Sequence, residues 1–186
     1  HTGAIQVDDR QQSKRMNVYA AGDCCESRHR VSGKPVWSPY AGVAAKQGWV
    51  AGDRVAGGRL SFPGVLGTSL VRLFDIEAGS TGLTMKEAET AGFCPRLTAI
   101  THDSRSAYLE ENRNTHVALI VDDKTQQILG AFMAGEDGVG RRLNTLATAI
   151  AAKFTTRQLA FTDLAYIPES SPVWDPVAMA ARVGMK

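Results

Sequence analysis

The chain has 186 residues, 44% of them apolar and 22% charged, enough for a packed core in one domain or in one domain with a partial neighbour. Lys and Arg total 21 against 19 Asp and Glu, a net charge of +2; with no basic run longer than Arg141-Arg142, that balance excludes an electrostatic nucleic-acid binder. No apolar segment has the length of a membrane span and no signal peptide is visible at His1, which is set aside as a tag remnant.

In chain order, residues 4–7 and 17–21 read as short strands, the second ending in Gly22-Asp23. The stretch 24–36, rich in Arg, Ser and Gly, reads as a loop. A helix is expected over 38–55, with Ser38 as N-cap and Pro39 in the first position. One stripe of it is small: Ala41, Ala44, Ala45, Gly48, Ala51 and Gly52. Small side chains let a backbone or a flat ligand come close, and glycines inside a helix cost stability unless packing requires them. Gly57-Gly58 ends the helix. Residues 61–67, with Phe62, Pro63 and two glycines, read as a linker, so the domain boundary is placed there.

Beyond it, 68–75 is strand-like. Thr84 and Glu87 form a capping box for a short helix that Gly92 closes. Residues 96–102 alternate as a strand, and 115–121 with 127–134 form a hairpin around a turn at Asp122-Asp123, read as solvated. Val139, Leu143, Leu146, Ile150 and Phe154 share one face of an amphipathic helix, with Arg141-Arg142 assigned to its polar face. Thr155 and Gln158 make a second capping box. Asp175-Pro176 supplies an N-cap and a first-position proline for a last helix. Grouped strands with helices at the ends argue for an α+β fold.

The chemistry concentrates in Asn17-Val18-Tyr19-Ala20-Ala21-Gly22-Asp23. Ligands of open α/β sheets sit beyond the C-terminal ends of strands. There a glycine lets a ligand approach the backbone, and a carboxylate can accept a hydrogen bond from a sugar hydroxyl. The alternative is a strand followed by an ordinary Gly-Asp turn. Three cysteines, Cys24, Cys25 and Cys94, form no C-x-x-C motif; an odd, sparse count fits a reducing cytoplasm rather than a disulfide-built secreted domain. Adjacent Cys24 and Cys25 would close a strained vicinal ring, and Cys94 reads as a buried small hydrophobe.

The run Gly3–Asp8 followed by Asn17–Cys24 resembles the second FAD-binding motif of the pyridine nucleotide–disulfide oxidoreductases. The family's Thr-containing segment before the strand reads Gln11-Gln12-Ser13-Lys14-Arg15 here. The resemblance implies that Gly22 and Asp23 bind FAD, Asp23 through a hydroxyl of the ribityl chain. It further implies that Pro39, Tyr40 and Ala41 start a helix pointing at the pyrimidine edge of the flavin, where a positive helix end suits the charge of a reduced flavin. From about Thr68 to Val183 the order and spacing of Phe74-Asp75, Thr81-Gly82-Leu83-Thr84, Gly130–Gly135, Asn144–Ile150 and Asp163–Tyr166 resemble the dimerisation domain of the same family.

The chain lacks the His-Pro-Thr-x-x-Glu motif of the glutathione and lipoamide reductases. Its tail, Ala165-Tyr166-Ile167-Pro168-Glu169, resembles the branch of coenzyme A–disulfide reductases, NADH oxidases and NADH peroxidases, whose single redox cysteine lies in a part absent here. In that branch two tyrosines of the dimerisation domain reach the partner subunit's active site. Tyr108 and Tyr166 are the matching candidates for catalytic residues, although Tyr-Tyr-Pro-Gly reads Tyr108-Leu109-Glu110-Glu111 and Tyr-x-Pro-Pro reads Tyr166-Ile167-Pro168-Glu169. A phenol can donate to a thiolate or leaving sulfur; either tyrosine could equally be an amphipathic interface residue. Trp174 reads as an interface or core anchor, and Asp122-Asp123 falls short of a metal site.

Residues 1–58 are therefore expected to be the end of an FAD-binding α/β domain and residues 62–186 a dimerisation domain, an antiparallel sheet with helices on one side. The expected parent is a cytoplasmic homodimer that takes hydride from NAD(P)H through FAD to a cysteine sulfur and reduces a low-molecular-weight disulfide or persulfide such as coenzyme A disulfide. Oxygen or peroxide is the alternative acceptor. Without a G-x-G-x-x-G loop, a nicotinamide domain or a positioned redox cysteine, the chain alone is expected to be inactive. A different class of reading is a homodimerisation module with no ligand.

Overall fold

The computed structural model describes residues 2–185 and divides after Gly67 into two units. In the first, β1 (Ser27–Arg28) and β2 (Pro35–Val36) form a small antiparallel hairpin inside the stretch expected to be a loop. The expected strands at 4–7 and 17–21 are reduced to isolated bridges: Ile5 with Cys25, Val7 with Ser13, and Gln12 with Tyr19. Their backbone bonds are spent on tight turns. Asp8 accepts from the Arg10 and Gln12 amides, and Asn17 adopts a left-handed φ of 63°.

Helix α1 (Ala41–Val55) begins later than expected. Tyr40 is its N-cap, in extended conformation and without a side-chain cap, so neither Ser38 nor Pro39 holds the assigned helical position. Val43, Gln47 and Val50, spaced four and three apart, form the face turned inward, and Val50 packs in a core with Phe62 and Val65. The stretch read as a linker is thus part of the first unit's core: Phe62 donates its amide to Asp9 and Val65 to Arg28. The small-residue stripe is largely on the outside, and a side chain at Gly48 or Gly52 would meet open space.

The second unit is a five-stranded antiparallel sheet in the order β3-β4-β7-β6-β5. Its strands are β3 (Ser69–Leu73), β4 (Ile76–Gly82), β5 (Pro95–Asp103), β6 (Asn114–Asp122) and β7 (Ile128–Gly135). β4 has no counterpart in the sequence reading. Its residues Glu-Ala-Gly-Ser-Thr-Gly have weak strand propensity, and tertiary pairing with β3 and β7 overrides it. Along β6, Thr115, Val117, Leu119 and Val121 are buried while their neighbours alternate outward. That is the period-2 signature of a sheet with one covered face.

The helices are α2 (Met85–Thr90), α3 (Val139–Ala151), α4 (Thr156–Ala160) and α5 (Pro176–Val183). Both expected capping boxes are present in full, Thr84 with Glu87 and Thr155 with Gln158, and Asp175 caps the Val177 amide at 2.9 Å. α3 lies on β4 and β7, α5 on β5 and β6. A side chain at Gly79 would come within 2.6 Å of Leu143 Cδ2, so glycine in β4 is what lets α3 sit this close. α3 ends at Ala151, and Phe154 lies beyond it, its amide returning to the Ala149 carbonyl. Asp122 is buried and organises its turn. It accepts from Thr125 Oγ1 at 2.7 Å and from the amides of Thr125 and Cys94. Cys94, read as buried, is exposed.

Candidate functional site

In the first unit the Gly22-Asp23 turn is anchored from both sides. Gly22 has φ 85°, a conformation that costs an L side chain, and a Cβ there would stand 3.5 Å from Ala44 Cβ of α1. Its amide donates to Gln47 Oε1 at 2.9 Å. Gln47 is 1% exposed, and its Nε2 donates to Ser27 Oγ at 2.9 Å. On the other side, Trp37 Nε1 donates to the Asp23 carbonyl at 2.8 Å. The Asp23 side chain is exposed and takes no hydrogen bond or ion pair among the described residues.

The start of α1 approaches the same turn through Ala44 and Gln47. Tyr40 and Ala41 are exposed and Pro39 is half-buried. The first turn carries no acidic residue and no side-chain cap, so the positive end of the helix is uncompensated by side chains. Just before it, Ser38 Oγ is buried with no hydrogen-bond partner. Gly22, Asp23, Pro39, Tyr40 and Ala41 are thus brought to one region of the first unit.

The neighbouring thiols differ. Cys25 is buried against Gly22 O, Gln11 and Gln47, at 3.3, 3.8 and 3.5 Å. Burial first, and the adjacent Cys24 second, push its pKa from 9.0 to about 11, so it stays a thiol at neutral pH and is a poor nucleophile. Cys24 is exposed and donates to Ala21 O.

Tyr108 and Tyr166 belong to the second unit. Tyr108 is 75% exposed and Tyr166 50% exposed, and the segments bearing them are joined by the Ser106 amide donating to the Pro168 carbonyl at 3.1 Å. Tyr166 lines a cleft of about 360 Å³ with Arg141, Arg142, Thr145, Ile167 and Ser170.

Arg142, expected on a solvated helix face, is 3% exposed and holds this region together. Its Nε pairs with Asp175 Oδ2 at 2.8 Å. Its NH2 donates to the Ser104 carbonyl at 2.8 Å and the Ser170 carbonyl at 3.2 Å, and its NH1 to the Asp137 carbonyl at 3.3 Å. One guanidinium therefore fixes both tyrosine-bearing segments and the cap of α5. Nearby, burial pushes the Asp137 carboxyl up. The Arg105 hydrogen bond and the charges of Arg105, Arg141 and Arg142 outweigh that and hold it below its usual range. Trp174 carries the Arg182 guanidinium 4.8 Å from its ring centroid.

Gln47 and Trp37 escaped the sequence reading and Arg142 was assigned to the wrong face, though Gln47 and Arg142 had a spacing signal. Arg142 falls three after Val139 and four before Leu146, within the apolar stripe, and Gln47 sits between Val43 and Val50 on the inward face of α1. A polar residue at an apolar stripe position announces a buried polar contact.

Residues 68–177 match the pyridine nucleotide-disulphide oxidoreductase dimerisation domain. The NAD(P)H coenzyme A polysulfide/persulfide reductase of Pyrococcus horikoshii is 43% identical over 98% of this chain and 41% of its own length. An NADH oxidase of Methanocaldococcus jannaschii is 30% identical over the same shares. The structure of a NAD-dependent persulfide reductase from A. fulgidus superposes with a TM-score of 0.96 at 38% identity, covering 99% of this chain and 34% of that one. The chain spans about two-fifths of the length of the curated relatives it matches. Its second unit carries the domain's sheet and helices, and the likeness extends through the first, so the chain belongs to the pyridine nucleotide-disulphide oxidoreductase family.

Proposed function

We propose that this chain supplies part of the FAD site and the dimer interface of an FAD-dependent NAD(P)H oxidoreductase that reduces coenzyme A disulfide or a related persulfide. The observation that carries the reading is the 43% identity to a coenzyme A polysulfide/persulfide reductase across 98% of the chain, through the Gly22-Asp23 unit as well as the sheet. The redox cysteine of the proposed reaction lies outside this chain. Per turnover, one hydride from the nicotinamide and one proton cleave one S–S bond to two thiols. FAD, when bound, supplies the two-electron relay between nicotinamide and sulfur.

The residues present fit that group. An unengaged carboxylate at Asp23 suits a ribityl hydroxyl. The uncompensated start of α1 at Pro39, Tyr40 and Ala41 suits electron-rich flavin atoms, and the orphaned Ser38 hydroxyl needs a polar partner. Tyr166, half-exposed beside the cleft, is assigned the role of donating its phenol hydrogen to the departing sulfur, with Tyr108 as its companion. The homodimer is assigned to the uncovered face of the sheet. There Phe132, Ala118 and Ala99 stand in one cross-strand row, and Ile120 and Leu97 are paired in the next. Three free, unpaired cysteines support a cytoplasmic setting. No helix among the described residues is long and apolar enough to cross a membrane.

The likeness to an NADH oxidase at 30% identity supports oxygen as the second candidate acceptor. The flavin assignment is tested by Asp23→Ala in the full-length protein. Flavin should be lost on desalting or bound at least about tenfold more weakly, the worth of one hydrogen bond to a charged group. Wild-type retention of the flavin absorbance would remove Asp23 from the site.

A further inference from the structure

We infer that Gln47 is a positioning residue for the flavin-binding turn, holding Gly22-Asp23 in its binding geometry from behind. The inference rests on the reading of Asp23 as a flavin ligand. Gln47 lies in the middle of a helix whose other inward residues are apolar, and a buried primary amide is costly unless both its ends are matched. Both are. The Gly22 amide can only donate, so the bond of 2.9 Å fixes the Gln47 oxygen toward Gly22, and the nitrogen then faces Ser27 Oγ at 2.9 Å.

That arrangement acts on the Ala21–Gly22 peptide, one residue before Asp23. With φ of 85°, Gly22 is in a region where few residues are content and glycine is the freest. A glycine left unrestrained would let the Ala21–Gly22 peptide rotate and carry Asp23 with it. Gln47 ties the Gly22 N–H, while Trp37 ties the Asp23 carbonyl at 2.8 Å. The Asp23 backbone is held on both sides and its carboxylate is left without a protein partner. A structural aspartate would engage its carboxylate in the turn, as Asp8 does by accepting from the Arg10 and Gln12 amides at one oxygen. A binding one is kept open and preorganised. Ser27, in β1, anchors the far end of the amide and so belongs to the same device.

The test is a titration of the full-length apoprotein with FAD, read by flavin fluorescence, for the wild type, Gln47→Leu, Ser27→Ala, Asp23→Ala and the Gln47→Leu/Asp23→Ala double variant. Gln47→Leu should raise the dissociation constant about tenfold, and Ser27→Ala should raise it by a smaller factor. The double variant should bind within about twofold of Asp23→Ala alone, because a positioning residue has nothing left to position. Should Gln47→Leu fail to fold, Ser27→Ala carries the test by itself: wild-type affinity there would overturn the inference. Weakened binding in Asp23→Ala with wild-type binding in Gln47→Leu, or single effects that multiply in the double variant, would overturn it too. Unchanged affinity in Asp23→Ala would remove the flavin reading of the turn, and the inference with it.

Discussion

At the scale of single residues, burial separates side chains that the sequence presents as equivalents. Arg141 and Arg142 are adjacent and chemically identical, yet Arg142 is buried against four partners while Arg141 is exposed at the rim of the cleft, where its guanidinium donates to the Ser170 carbonyl. Removing one partner of a buried ion pair strands the other charge and costs about 3–5 kcal/mol. Arg142→Met should therefore lower the free energy of unfolding in urea by about that amount, through Asp175 and the carbonyls of Ser104 and Ser170. Arg142→Lys keeps the charge but cannot reach several acceptors at once, and should lose less. A loss below about 1 kcal/mol for Arg142→Met would show that the guanidinium is not the tie between these segments. Cys24 and Cys25 divide in the same way, one exposed and one held as a thiol by its surroundings. Neither contrast is written in the residue types; only the stripe position of Arg142 hinted at it. Gly22 and Asp23 were singled out through the resemblance of their stretch to a flavin-binding motif, since a glycine and a carboxylate ending an apolar run also make an ordinary turn.

At the scale of elements, what could be read was what is decided locally. The capping boxes at Thr84 and Thr155 and the Asp175-Pro176 start stand where the sequence put them, because each is closed within four residues. What tertiary pairing decides could not be read. β4 is a strand because β3 and β7 flank it, and 4–7 and 17–21 fall short of strands because they form only isolated bridges, Ile5 with Cys25, Val7 with Ser13 and Tyr19 with Gln12. Helix α1 starts at Ala41 although Ser38-Pro39 is a good opening signal, since the Tyr40 amide turns back to the Ser38 carbonyl instead.

The uncovered sheet face is an element-scale feature with a direct consequence. Phe132 is 48% exposed, on a strand whose opposite face is buried, and Leu97 is 58% exposed. A carboxylate at position 132 would have to be desolvated in a homodimer built on that face. Phe132→Glu should shift the mass by light scattering from twice the 20.0 kDa chain to a single copy. An unchanged dimer mass would place the interface elsewhere.

For the molecule as a whole, the two units carry different parts of one proposed task. The first offers a flavin a preorganised turn and an uncompensated helix start. The second offers a sheet face for a twin and a tyrosine beside an arginine-lined cleft. Such a division suits an enzyme whose electron path runs through a cofactor held mainly by residues that this chain does not include. The acceptor is therefore the sharpest claim. In anaerobic rapid mixing, the full-length protein is first reduced by NAD(P)H, and the return of the oxidised-flavin absorbance is then followed with coenzyme A disulfide or with oxygen. Return should be faster with the disulfide. Tyr166→Phe should slow that step about tenfold or more while leaving reduction by the nicotinamide unchanged. Faster return with oxygen, and no effect of Tyr166→Phe on the disulfide step, would contradict the account and assign the chain to an oxidase.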